Sequence, residues 1–278
     1  MIDLYHKISV DASKNITKLY STSFSMGIKL LDKTIHEDIF SIYGFVRLAD
    51  EIVDTFHDYP KSEMLQEFKE ETHKALDRKI SVNPILHAFQ MVVNKYSIER
   101  DLIDKFLLSM EQDLNDIEYS NEVYKDYIVG SAEVVGLMCL KVFVNGDNDL
   151  YYNLEEPARR LGAAFQKINF LRDVKADYKE LGRTYFPGVD LEKFTPNEKF
   201  KIEKDIQDDF ESALEGIVKL PSSSRLGVYV AYRYYFSLFK KIKKVSSDRL
   251  MEERIRVPNS KKIFITFESM FQNQFNWI

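Results

Sequence analysis

Residues 166–177 read Gln166-Lys167-Ile168-Asn169-Phe170-Leu171-Arg172-Asp173-Val174-Lys175-Ala176-Asp177. Gln166, Asn169, Asp173 and Asp177 recur at steps of three, four and four, the spacing that stacks side chains on one face of a helix. The flanking positions Leu161, Phe165, Ile168, Phe170 and Leu171 are apolar. The polar stripe is therefore expected to face an interior cavity rather than bulk water. Buried polar groups require partners. Four in line, two of them ionised, point to a metal ion or a bound anion.

Far upstream, Arg47-Leu48-Ala49-Asp50-Glu51-Ile52-Val53-Asp54 repeats the theme. Asp50 and Asp54 lie one turn apart, where like charges cost about 0.2–0.5 kcal/mol on a bare helix. A divalent cation reverses that sign. Arg47, one turn earlier on the same face, could contact an anion held by the metal. By itself this segment reads equally well as a solvated acidic face. Paired across a helical bundle, the two Asp-x-x-x-Asp helices fit a diphosphate chelated by magnesium, which takes one or two carboxylates plus phosphate oxygens. Arg47, Arg172 and Arg183 would supply the cations of a phosphate grip. Neutralising a leaving diphosphate would ionise a prenyl group to an allylic cation. Phe and Tyr rings would shield that cation from water.

The rest of the chain fits such a bundle. Its 278 residues contain only 10 Gly and 7 Pro, about half the average usage, which argues against turn-rich β folds. Apolar spacing of three and four predicts helices near 12–31, 36–57, 62–78, 83–96, 99–118, 121–145, 151–181, 196–219, 223–246 and 259–274. Thr195-Pro196-Asn197-Glu198 carries an N-cap, an N1 proline and a capping-box glutamate. No linker-like composition shift appears, so one domain spanning 1–278 is expected. The net charge of −5 offers no nucleic-acid footprint. The single cysteine, Cys139, excludes a disulfide framework and reads as a buried structural thiol. The N-terminus lacks the apolar core of a signal peptide, and the most apolar runs are too short to span a bilayer. A cytoplasmic protein is expected, with peripheral contact at the inner membrane face as the only lipid association.

Ser21-Thr22-Ser23-Phe24-Ser25, Tyr43 to Asp54, Tyr127 to Gly136 and Gly162 to Pro187 together resemble the squalene/phytoene synthase family of head-to-head prenyl transferases. The most specific segment holds Gln166, Asn169, Arg172-Asp173, Asp177 and Gly182-Arg183-Thr184-Tyr185-Phe186-Pro187. The resemblance implies an all-α isoprenoid-synthase bundle around a central cavity. It implies magnesium, with manganese as a substitute, at Asp50, Asp54, Asp173 and Asp177, with Asn169 completing coordination. It places diphosphate contacts at Arg47, Gln166, Asn169, Arg172 and Arg183, and catalytic positions at Tyr127, Tyr235 and Arg172. Tyr20 stands where some members carry a histidine near the diphosphate. Glu51 and Glu133 replace an aspartate and a glycine common in the family.

The implied reaction joins two geranylgeranyl diphosphates into phytoene, with no NADPH expected. A dehydrosqualene, squalene or presqualene-type product from farnesyl diphosphate is the alternative, and a non-catalytic assembly factor is the alternative of another class. Chain length is read from Ser23, Met26, Gly27 and Ile28, taken as cavity wall, and from Phe40, taken as part of its far end. Elsewhere, bland readings prevail. The five histidines are expected at the surface, and Lys240-Lys241 and Lys243-Lys244 on a solvated face, with contact to anionic lipid headgroups as the alternative. The stripe Phe264, Phe267, Phe271, Phe275 and Trp277 is expected to pack on the bundle, with membrane contact as the alternative.

Overall fold

The computed structural model describes residues 1–115, 120–181, 185–189, 194–252 and 254–274, with the backbone alone for 176–181 and 274. The elements are α1 (Ile2–Tyr20), α2 (Thr22–Ile28), a 3₁₀ turn (Lys33–Ile35), α3 (His36–Asp54), α4 (Lys61–Arg78), α5 (Pro84–Tyr96) and α6 (Arg100–Gln112). They continue with α7 (Asn121–Ile128), a π-helical turn (Val129–Glu133), α8 (Val134–Phe143), α9 (Asn148–Leu181), α10 (Pro196–Ile217), α11 (Ser222–Ile242), α12 (Ser247–Leu250) and α13 (Asn259–Gln274). No strand occurs among the described residues. The fold class is all-α, as expected.

Local chemistry sets most boundaries. The Asn83 side chain accepts the Ile85 and Leu86 N–H groups ahead of Pro84, and Thr195 and Glu198 form the reciprocal capping box at α10. Asn145 and Gly146, at φ 52° and 79°, end α8 in the left-handed region. Two expected helices are broken. The 12–31 segment starts earlier and divides at Ser21, whose extended backbone (φ −142°) lets its hydroxyl accept the Phe24 N–H and cap α2. The 121–145 segment passes through the π turn at Gly130-Ser131-Ala132, where the Ser131 hydroxyl donates to the Tyr127 carbonyl. Such π insertions concentrate at functional sites.

The core is built from aromatic stacks. Phe45 stacks on Phe89 at 3.8 Å with Phe68 and Phe106 around it, and Phe210 packs against Tyr232, Phe236 and Phe239. Behind the polar stripe of α9, Lys167 bonds Asp205 at 2.5 Å and Asp209 at 2.7 Å, tying α10 in place. A buried pair that is fully bonded holds register even where its net stabilisation is small. Close approach at α10 requires a glycine: a Cβ on Gly216 would lie 2.3 Å from Pro157 Cβ.

Two expectations are corrected. His87 is buried, with its Nε2 2.8 Å from His6 Nδ1, because α1 closes over α5. Phe264, Phe267 and Phe271 point outward rather than onto the bundle, because Ile265 and Ser269 take the inward face of α13. Phe275 and Trp277 lie outside the described residues. Among the described residues no helix is long and apolar enough to cross a membrane.

Candidate active site

A cavity of about 800 Å³ runs into the bundle between α2, α3 and α8–α11. Its wall includes Tyr20, Arg47, Asp50, Asp54, Tyr127, Gln166, Asn169, Arg172, Asp173 and Tyr235. Ten of the twelve sequence-derived site residues thus share one space. Arg183 and the side chain of Asp177 lie outside the described residues.

On the α3 wall, burial pushes the Asp50 carboxyl up to about 7, with Asp54 adding to the shift, Arg47 opposing it and Asp113 and Glu51 contributing further. Carboxylates crowded in a desolvated pocket resist ionisation unless a cation joins them. Arg47 is held by Glu51 at 2.5 Å, lies 3.8 Å from Asp50, and sits 4.3 Å over the Tyr20 ring. Tyr20 therefore orients the guanidinium through its π face, beside the diphosphate position that the resemblance implies. Glu51, the departure from the Asp-Asp pattern, fixes Arg47 from below. Arg47 Nε is buried without a hydrogen-bond partner.

On the α9 wall, Arg172 grips Asp173 through Nε and Nη2 at 3.0 and 2.5 Å. Arg254, from the segment between α12 and α13, grips the same carboxylate at 2.6 and 3.2 Å. Lys262 donates to Ser23 Oγ at 2.8 Å, and burial together with the Arg172 charge lowers its pKa. Burial raises the pKa of the Tyr235 hydroxyl, with the neighbouring Arg172 and Asn169 side chains opposing the rise, while Asn169 Oδ1 stays buried with no partner. Tyr235 stacks on Phe165 at 3.9 Å. Nearby, the Tyr127 hydroxyl donates to both oxygens of Asp113 at 2.9 Å, and Asp113 is only 6% exposed.

Arg254 and Asp113 were missed from sequence. Neither sits on a helix face shared with the aspartate motifs, and no local spacing links them to the site. Only the tertiary fold does so.

Among the described residues no three acidic, His or Cys side chains converge as a ready metal cage. The donor set nevertheless fits a hard divalent cation: it is all oxygen, carboxylates are crowded on α3, and an amide oxygen on α9 is orphaned. Hard cations of this kind take few protein ligands and complete their shell with phosphate oxygens and water.

Beyond these groups the cavity turns apolar, lined by Ile28, Leu31, Ile42, Leu140, Ile217 and Val228. Cys139 lies on this wall rather than deep in the packing, and burial pushes its thiol up to about 12, so it stays protonated. Gly27 and Ile28 line the cavity as expected, but Ser23, Met26 and Phe40 do not. Phe40 turns into the core at 2% exposure, leaving Ile39 and Ile42 on the cavity side of α3.

Comparison with known proteins agrees with this architecture. A family profile described as squalene/phytoene synthase matches residues 17–261. A 4,4'-diapophytoene synthase of Staphylococcus haemolyticus is 24% identical over 265 residues, covering 89% of this chain and 91% of its own. A phytoene synthase of Arthrospira platensis is 26% identical, covering 92% and 90%. A crystal structure of a dehydrosqualene synthase in complex with ligand superposes with a TM-score of 0.83 at 19% identity, over 97% of this chain and 98% of that one. The profile match spans most of the chain, and the two acidic helix faces meet across one cavity: the chain belongs to the squalene/phytoene synthase family, whose members are prenyl transferases acting on prenyl diphosphates.

Proposed function

We propose that the chain, acting as one domain over residues 1–278, condenses two geranylgeranyl diphosphates head to head into phytoene, a carotenoid precursor. The observation that carries the reading is the pair of unpartnered buried atoms in the cavity, Arg47 Nε and Asn169 Oδ1. One seeks an anion and the other a cation, and a metal-bound diphosphate satisfies both. Arg47, Gln166, Arg172 and Arg254 would hold the diphosphates, and the resemblance adds Arg183 to that grip. Magnesium, or manganese in its place, would be held by Asp50, Asp54, Asp173, Asp177 and Asn169, and would neutralise the departing diphosphate.

The chain's own residues then confine the carbon chemistry. The C–O bond of the first substrate breaks, its electron pair leaving with diphosphate. The allylic carbon bonds to the double bond of the second substrate, and loss of a proton closes a cyclopropylcarbinyl diphosphate. Departure of the second diphosphate, rearrangement and a further proton loss give the product. No electrons enter, so no NADPH is required. Tyr127, oriented by Asp113, and Tyr235, stacked on Phe165, stand on the wall beside the reacting carbons. The aromatic lining excludes water from the cation.

The dehydrosqualene synthase likeness and the diapophytoene synthase relative favour a second reading, in which farnesyl diphosphate is the substrate. A non-catalytic role is disfavoured because all four motif aspartates are present.

Purified protein incubated with C15 or C20 diphosphate and magnesium, without NADPH, is expected to give phytoene from the C20 substrate. A C30 hydrocarbon as the main product moves the assignment to the second reading. No condensation of either substrate sinks both.

A further inference from the structure

Charge is unevenly distributed along this chain. Between residues 240 and 262 there are nine Lys or Arg against three Asp or Glu, within a protein of net charge −5. The bases of this stretch include Lys240, Lys243, Lys244, Arg256 and Lys261, all exposed.

The same stretch runs directly into α13. Ile263, Phe264, Phe267 and Met270 fall on one face of that helix and are 49%, 66%, 67% and 44% exposed. The opposite face, Ile265 and Ser269, is buried against α11. The acid of α13, Glu268, is paired with Arg233 at 2.6 Å, so its charge is directed inward. With Phe271, also 53% exposed, five large apolar side chains stand exposed on this one helix, which is costly for a monomeric surface and marks a contact face.

The tertiary contacts put the two features side by side. Tyr229 bonds Gln272, Tyr234 bonds Thr266, and Lys241 Nζ donates to the Arg256 carbonyl at 2.7 Å. α13 therefore runs antiparallel to α11, and the basic end of α11 lies at the start of the apolar face. The segment leading into this face also reaches the cavity. Arg254 lines the cavity, and Lys262 holds Ser23, next to the cavity residue Phe24.

We propose that the outer face of α13 and the basic stretch before it form a docking surface for an anionic lipid bilayer. A row of apolar side chains seats in the headgroup–acyl boundary, and flanking cations meet anionic headgroups. The charge pattern selects this partner. A second copy of the chain would bring like-charged basic segments together across a two-fold axis. The location suits it as well, since the same stretch contributes Arg254 to the cavity wall. The surface does not depend on which prenyl chain the cavity accepts.

The experiment is vesicle flotation of the full chain, with phosphatidylcholine alone and with phosphatidylcholine containing about one-third phosphatidylglycerol. Wild type is expected to float with the anionic vesicles, to bind neutral ones at least about tenfold more weakly, and to release in high salt. Phe264→Gln with Phe267→Gln is expected to weaken anionic-vesicle binding at least about tenfold. Lys244→Glu with Lys261→Glu is expected to do the same, with circular dichroism and turnover of detergent-dispersed substrate unchanged in both. These side chains are exposed, so the fold survives their replacement. No binding of wild type to anionic vesicles overturns the proposal. So does binding that neither double variant weakens. Concentration-dependent dimerisation in sedimentation, abolished by Phe264→Gln with Phe267→Gln and without vesicle binding, overturns it in favour of a second copy.

Discussion

Asp54, Asp113 and Glu51 all push Asp50 toward its protonated form, and burial does so more strongly than any of them. Asp50→Asn removes a charge the folded protein tolerates poorly while keeping the side chain's size. Thermal stability in the absence of metal is therefore expected to be unchanged or raised. Turnover is expected to fall on the order of 100-fold or more, because a ligand aimed at developing charge is lost. Melting curves and steady-state rates at saturating magnesium check both halves. Ordinary turnover in the Asp50→Asn variant removes Asp50 from the site. The reach of sequence reasoning is clear at this scale. Asp173 and Asn169 were legible because helical spacing puts them on a polar face with apolar flanks, and Asp50 became so once its motif was paired with theirs across a bundle. Arg254 was not, since its grip on Asp173 spans 81 residues and no periodicity connects the two. The role of Glu51 was hidden for another reason: the motif shows an acid, but only the fold shows that it holds Arg47.

At the level of elements, the seam between α1 and α5 carries a proton-sensitive joint. Nδ1 of His87 accepts the Ser81 N–H at 3.3 Å, so its Nε2 is assigned as the donor to His6 Nδ1 at 2.8 Å. Protonating either ring sets one N–H against another. Burial, with the neighbouring His6, holds the His87 pKa below its usual 6.5. The unfolded chain thus binds a proton near pH 6.5 that the folded chain refuses, so this joint loses stability as pH falls through that value and levels off below the folded pKa. Asp50 has the opposite sign, its raised pKa giving stability as pH falls through about 7. The contribution of the joint is therefore read by difference. His6→Gln is expected to lose less melting temperature than wild type between pH 7.5 and 5.5. Parallel pH profiles would show that the pair does not titrate on unfolding. Periodicity predicted helix at His87 but began the first helix at residue 12, beyond His6, and both histidines were expected at the surface, because pairing across the seam is a tertiary event. The same limit explains the two divided helices. Ser21, Ser131 and Ala132 line the cavity at these breaks, and the apolar spacing on either side still reads as continuous helix.

For the molecule as a whole, the decisive property is a cavity of about 800 Å³ whose walls come from residues as far apart as Tyr20 and Arg254. Its existence was legible, since two polar stripes with apolar flanks have to face something inside a bundle. Its far end was not: Phe40 was expected there and turns into the core instead. Ile28 does line the cavity, on an α2 that packs tightly against α11. There, a Cβ on Gly227 would lie 2.8 Å from the Gly27 carbonyl oxygen, so the backbones of α2 and α11 already touch and α2 cannot retreat to make room for a larger neighbour. A ring introduced at position 28 must enter the cavity. Ile28→Phe is therefore expected to shorten the space for the prenyl tail and to raise the C15/C20 ratio of kcat/KM at least about tenfold. Overpacking is expected to cost about 1–3 kcal/mol of stability. Tail binding scales at about 0.8 kcal/mol per buried methylene, so excluding even two or three carbons is enough to produce that shift. Kinetics with both diphosphates, alongside a melting curve to confirm folding, decide the matter. If the Ile28→Phe variant is folded and active and keeps the wild-type ratio, Ile28 does not bound the tail, and chain-length selection then belongs to another part of the apolar wall.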